Sequence, residues 1–225
     1  MLKNIKYVHP DISEIIRFYP GYVSSLVIED QDLFRKIAED FYVQSEGAEG
    51  DGILSDDNSS LNIGKYTEMI AQYVPFDINR KSLQAKLYTA LERVALDPEH
   101  YLGTQELLGN IENSISEWSE CLDVELDHSR LSVSSVIKSS GVRFLEDTVG
   151  TLEKILDFME IVREFEGDKL FVFFQLRSYF SYADVKLFLE TAVSRDYFVL
   201  LIDSAEYERF AFERRIVIDP DLCLI

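Results

Sequence analysis

Two uninterrupted apolar runs, Leu170-Phe-Val-Phe-Phe174 and Tyr197-Phe-Val-Leu-Leu-Ile202, constrain this 225-residue chain more than any other feature. Strands buried on both faces show no polar alternation, and they belong to parallel sheets whose connecting helices cover both sides. Between the two runs, Ser181 is placed to cap a helix that reaches Val193. Tyr22-Val-Ser-Ser-Leu-Val-Ile28 has the same β-branched, apolar character. Glu29-Asp30 follows it as a helix start, with Leu33, Phe34, Ile37, Ala38 and Phe41 at helical spacing. Arg215-Ile-Val-Ile218 completes the series. Strands that alternate with helices predict an α/β fold with a mainly parallel sheet and right-handed crossovers.

The middle of the chain reads differently. From Asn79 to Leu96 the residues Leu83, Leu87, Leu91 and Val94 trace one helical face, and Leu107, Leu108, Ile111, Ile115 and Trp118 trace a second. Asp97-Pro98 separates them, so an antiparallel helical hairpin is expected, one that must bury its apolar stripes against itself or a partner subunit. This gives a head domain of residues 1–78 and 123–225 and a projecting helical leg of residues 79–122. Ser45 to Ser60 is rich in Gly, Asp, Ser and Asn and is expected to be an exposed, mobile loop, its Gly47, Gly50 and Gly52 serving flexibility. Tyr66 to Tyr73 is expected as a strand ended by Pro75. Val133 to Ser139 reads as a short helix closed by Gly141, Val142 to Phe144 as a short extended segment, and Thr151 to Glu166 as an amphipathic helix.

Active-site signals are sparse. Cys121 and Cys223 have no CxxC spacing and are expected as buried free thiols; His9, His100 and His128 stand apart from one another and from any nucleophile motif. Gly64-Lys65 is the only Gly-Lys pair, but Ser59 stands where a phosphate-binding loop needs its first glycine and Tyr66 where it needs a hydroxyl for magnesium. Asp123, Glu125 and Asp127 alternate with Leu122, Val124 and Leu126, which would put three carboxylates on one side of an extended segment. Hard calcium ions favour such oxygen ligands. An exposed acidic strand face would carry the same sequence.

The formal net charge of −19 opposes attraction to a polyanion. A DNA binder of this composition must gather its 22 basic residues on one surface. The N-terminal stretch lacks the apolar core of a secretory signal and no segment approaches the roughly 20 apolar residues of a membrane helix, so a cytoplasmic protein is expected.

Several stretches, in their order, carry a family resemblance. They are Ser25-Leu-Val-Ile-Glu-Asp30 leading to Leu33-Phe34, Phe76-Asp-Ile-Asn79 entering a leucine-spaced helix, and Asp123-Val-Glu-Leu-Asp127. Ile137-Lys-Ser-Ser-Gly-Val142, Leu170 to Phe174, Tyr182-Ala-Asp-Val185 and Phe198 to Ile202 follow. Together they resemble the short form of the Csn-two family, the CRISPR-associated spacer-acquisition protein of type II-A loci.

The resemblance implies a head related to P-loop ATPases without hydrolytic machinery, a helical leg, and a non-enzymatic homotetrameric ring that binds the ends of double-stranded DNA. It also implies structural calcium near the head–leg linkers, where Asp123, Glu125 and Asp127 fall. Partners implied are the adaptation integrase and the effector nuclease. Lys138, Arg143 and Lys169 are the cations expected to line the opening. Two departures qualify the transfer: the acidic stretch turns to Ser129 and Arg130 where the family's usually runs further, and the lysines before Leu170 are thinned to Lys169. The rival readings are a nucleotide-dependent ATPase or nuclease, and an acidic protein-binding adaptor without DNA affinity.

Overall fold

The apolar runs become the central strands of a five-stranded sheet in the computed structural model, which describes residues 4–57, 59–127, 129–146 and 150–225. In the order β6 (Thr67–Ile70), β7 (Leu170–Phe174), β8 (Phe198–Asp203), β3 (Val23–Ile28), β9 (Glu213–Ile218), every neighbouring pair is parallel. All residues of β3, β7 and β8 are buried, as the unbroken apolar runs of β7 and β8 predict, and β3 buries Ser24 and Ser25 with its apolar residues. The α/β class with a mainly parallel sheet is therefore correct.

Helix signals also correspond closely. Asp30 caps α1 (Gln31–Ser45) by accepting from the Leu33 amide at 2.7 Å. Ser181 caps α8 (Tyr182–Ser194), and α6 spans Thr151–Glu166 as its apolar period predicts. Between β7 and α8 lies a single-turn helix, α7 (Leu176–Tyr179), which begins at the left-handed Gln175.

A second sheet lies outside the sequence expectation. It is antiparallel, in the order β2 (Ile12–Phe18), β1 (Ile5–His9), β4 (Ile53–Ser55), β5 (Ser60–Leu61). Ile5, Tyr7, Ile12, Ile16 and Phe18 join Leu26, Ile37, Phe41 and Leu200 in one core cluster, with the Tyr7 and Phe41 rings stacked at 4.8 Å. The glycine-rich segment is thus partly a strand. The Asp40 carboxylate accepts from the Asp51 and Gly52 amides at 2.7 and 2.9 Å, drawing the chain against α1. A Cβ at Gly52 would come within 2.5 Å of the buried Tyr7 hydroxyl oxygen, so this glycine permits close approach rather than supplying flexibility.

The chain divides into two compact units: residues 1–76 with 147–225, and residues 77–146. The second contains α3 (Lys81–Ala95), α4 (Tyr101–Glu120) and α5 (Val133–Ser139). Ser132 and Ser135 form a capping box on α5, and Gly141, at φ +65°, lies just past its end. Helix α5 packs on α3, so residues 123–146 cluster with the helices, where the sequence reading puts the boundary after residue 122. Asn79 ties the two ends of this unit together, accepting from the Phe144 amide at 2.9 Å and donating to its carbonyl at 3.1 Å. No helix among the described residues is long and apolar enough to cross a membrane.

Candidate functional site

The carboxyl edge of a parallel sheet is where an α/β protein usually holds a ligand, because strand ends and helix N-termini converge there. In the head a buried charge cluster reaches from this edge, at Asp203, to the amino end of β9, at Glu213. Asp203, the last residue of β8, lies 3.4 Å from the Arg177 Nε of α7. Arg177 Nη2 reaches Glu213 Oε1 at 2.8 Å, and Arg215 Nε reaches the same oxygen at 2.9 Å. Burial pushes the Asp203 carboxyl up to about 6, the Arg177 charge countering only part of that cost. Burial also raises Glu213, but hydrogen bonds from Arg215 and Arg177 outweigh it and hold that carboxyl below its ordinary range.

The loop 204–212 covers this cluster. Arg215 Nη1 donates to the Tyr207 carbonyl at 2.7 Å, the Phe210 amide donates to Glu213 at 3.1 Å, and the Phe210 ring lies 5.4 Å from the Arg177 guanidinium. A cavity of about 200 Å³ remains, lined by Arg177, Phe180, Tyr182, Val185, Tyr207, Glu208 and Phe210. The equivalent of a phosphate-binding turn, between β3 and α1, is Glu29-Asp30, whose carboxylate already occupies the helix N-terminus as the cap. Gly64 and Lys65 lie on α2 (Ile63–Tyr66), where a Cβ on Gly64 would stand 2.9 Å from the Gln44 carbonyl of α1. That glycine serves helix packing. The charge cluster escaped the sequence reading, although charged residues directly after buried strands, Arg177 behind Phe174 and Asp203 behind Ile202, were its signal.

The expected metal ligands lie in the helical unit. Asp123, Glu125 and Asp127 are exposed and belong to no strand. Leu122, Val124 and Leu126 are exposed too, so the alternation separates no inner from outer face. Period two acquires two faces only when a neighbouring strand or layer covers one of them. Among the described residues no group of three or more His, Cys, Asp or Glu side chains is gathered to hold a metal ion. As placed, the three carboxylates do not form a calcium cage. His128 lies outside the described residues.

The three expected DNA contacts divide. Lys138, in the last turn of α5, and Arg143 are exposed and, among the described residues, have no carboxylate partner. Lys169 is buried and held by Glu166 and, at 3.6 Å, by Glu68, so it neutralises carboxylates inside the head and presents no free charge to a phosphate. The cysteines also differ from expectation: Cys121 and Cys223 are free but exposed.

With the geometry in place, comparison with known families adds one finding. The family model described as CRISPR-associated protein (Cas_Csn2) matches residues 44–222. The chain belongs to that family. The match takes in all of the helical unit, the charge cluster and strands β4 to β9, while β1, β2, β3 and nearly all of α1 precede it. A CRISPR-associated role follows from membership. Of the stretches that carry the resemblance, Ser25 to Phe34 lies before the matched residues and the others lie within them.

Proposed function

We propose that this Cas_Csn2 protein is a non-enzymatic ring former that holds the ends of double-stranded DNA during spacer acquisition in a type II-A CRISPR system. It acts in the cytoplasm beside the adaptation integrase and the effector nuclease. The observation that carries the assembly is the uncovered apolar surface of the helical unit: Leu102, Leu107 and Trp118 of α4 are 78%, 54% and 68% exposed. Side chains of this size, on helices of 15 and 20 residues, favour burial against other copies of the chain. A closed homotetramer supplies that burial and a central opening.

Inside such an opening Lys138 and Arg143 contact phosphates without reading bases, so binding is independent of sequence. The buried Arg177–Asp203 pair at the carboxyl edge of the sheet favours a structural head over one that turns over nucleotide. Calcium rests on donor chemistry alone, since carboxylate oxygens suit a hard cation but Asp123, Glu125 and Asp127 are not gathered around one. No part of the DNA-holding proposal depends on it. Calcium that binds there lowers the particle's sensitivity to dilution, an effect that EGTA reverses.

The deciding experiment compares retention of linear duplex with retention of the same DNA as a covalently closed circle. A ring that loads at ends retains the linear form and releases it as salt rises. Equal retention of both topologies removes end-loading, and retention of neither favours an acidic adaptor. Cleavage of either DNA, or hydrolysis of added ATP, replaces the reading with an enzymatic one.

A further inference from the structure

Where β3 enters the parallel sheet, Arg214 lies against Tyr19 and Tyr22, and Tyr19 in turn shares a surface depression with Arg17. Register sets Ser24 of β3 beside Arg214 of β9, and the Ser24 hydroxyl donates to the Arg17 carbonyl at 2.9 Å. Both arginines are thereby anchored through their backbones to one residue of a fully buried strand. The Tyr22 amide donates to the Tyr19 carbonyl at 3.3 Å, and this turn brings both rings to the Arg214 guanidinium, whose Cζ lies 4.6 and 4.5 Å from their centroids.

Arg17 and Arg214 are exposed, and among the described residues neither has a carboxylate partner. Of the other head arginines, Arg35 is neutralised by Asp32 at 2.9 Å, Arg195 by Glu160 at 3.0 Å, and Arg177 and Arg215 inside the charge cluster, while Arg163 and Arg209 spend N–H donors on the Arg195 and Glu213 carbonyls. Aromatic faces steady a guanidinium without cancelling its charge, and they leave its N–H edge directed outward. Beside Arg17 a depression of about 260 Å³ is lined by Asn4, Ile5, Lys6, Tyr19 and Asp57 as well, and Asp57 is held by Asn4 and, at 3.3 Å, by Lys6. Lys6, Arg17 and Arg214 against Asp57 leave this patch cationic on a chain of net charge −19.

We infer that this patch is a phosphodiester-binding site of the head, where Arg214, steadied by Tyr19 and Tyr22, acts with Arg17 on the backbone phosphates of DNA. The inference rests on the DNA-holding reading above and extends it, since Arg17, Tyr19 and Tyr22 precede the family-matched residues 44–222. A fork of N–H donors held in one orientation suits a phosphate oxygen pair and carries no preference for base sequence.

The test is retention of linear duplex by the full chain across a salt series from about 50 to 200 mM. The Arg17→Gln/Arg214→Gln variant should bind more weakly. Its plot of log affinity against log salt should be shallower by about 2 for each copy that makes the contact. Arg17→Lys/Arg214→Lys should restore most of the slope, and Tyr19→Leu should weaken binding with both arginines kept. Arg35→Gln/Arg195→Gln removes equal charge from paired positions and should leave the slope unchanged. A glutamine variant that keeps the wild-type slope, or a control pair that loses as much, overturns the site while leaving DNA holding intact. A wild-type chain that retains no linear duplex overturns both.

Discussion

In the head, α1 turns its apolar side inward: Leu33, Ile37 and Phe41 are buried in one cluster with residues of both sheets, and the half-buried Phe34 and Ala38 pack against it. In the helical unit, α4 has an apolar side of the same period, yet only Leu108 of that helix is buried and Trp118 is 68% exposed. Among the described residues of 77–146, the buried apolar side chains are Ile78, Leu83, Leu108 and Val133. Equal periodicity therefore has unequal outcomes, because a helix face is buried only where another layer stands against it. Five parallel strands supply that layer in the head, whereas three helices and an open acidic segment leave most of it missing in the other unit. The head thus holds its fold internally, while the helical unit leaves most of its apolar side chains uncovered.

The sharpest way to break this contrast is at the head's charge cluster. Arg177→Met leaves Asp203 and Glu213 buried with Arg215 as their remaining arginine, and should cost about 3–5 kcal/mol in urea unfolding. A loss below 1 kcal/mol would mean that the cluster is hydrated and the head less tightly closed than described. Next in size is the pH response of Asp203. Its folded carboxyl titrates at about 6 against an ordinary 3.8, so the native state binds the extra proton between those values. The contribution of this group to stability therefore falls as pH rises from about 4 to about 6, on the order of 3 kcal/mol in all, and is flat above. Glu213 acts oppositely, its stabilisation being present at neutral pH and lost as pH falls through its lowered folded value. Urea midpoints from about pH 4.5, above the window of Glu213, to about pH 6 should decline in the wild type and stay level in Asp203→Asn.

Gly52→Ala sets a Cβ against the Tyr7 hydroxyl and the Asp40 carboxylate, and should cost about 1–3 kcal/mol by overpacking. A neutral result would show that the strand-bearing 50s segment swings free of α1. The smallest effect belongs to the helical unit. Trp118→Ser should leave the head's unfolding midpoint within about 0.5 kcal/mol of wild type while lowering the mass of the assembled particle. A destabilised head with unchanged mass would reverse the roles given to the two units.

How much of this was legible beforehand follows the same division. Unbroken apolar runs located β7 and β8, β-branched and apolar residues located β3, and capping residues located α1, α5 and α8, because those signals are local and strong. The hairpin of β1 and β2 went unread, although Ile5, Tyr7 and His9 alternate inward and Pro10-Asp11 is a turn pair; the segment is short and mixes charges with its apolar residues. Long-range pairing created the rest. Asp40, ten residues after the cap of α1, turns a glycine-rich stretch into part of a sheet, and Glu68 and Glu166 enclose Lys169 from separate elements. The acidic alternation at 123–127 misled in the opposite sense, since a period of two without a neighbouring strand builds no face. Likewise the cysteines' apolar character did not bury them, because both lie outside the helical and strand cores, Cys121 just past α4 and Cys223 past β9.

Sedimentation equilibrium of the wild-type chain, followed on dilution, reads the proposed assembly itself. The proposed homotetramer requires a particle of four copies of the 26.0 kDa chain, and its assembly through the uncovered helical unit requires that it come apart when Leu102 and Trp118 are both changed to serine. A single-copy mass at every concentration, with the helical unit still folded, would contradict it.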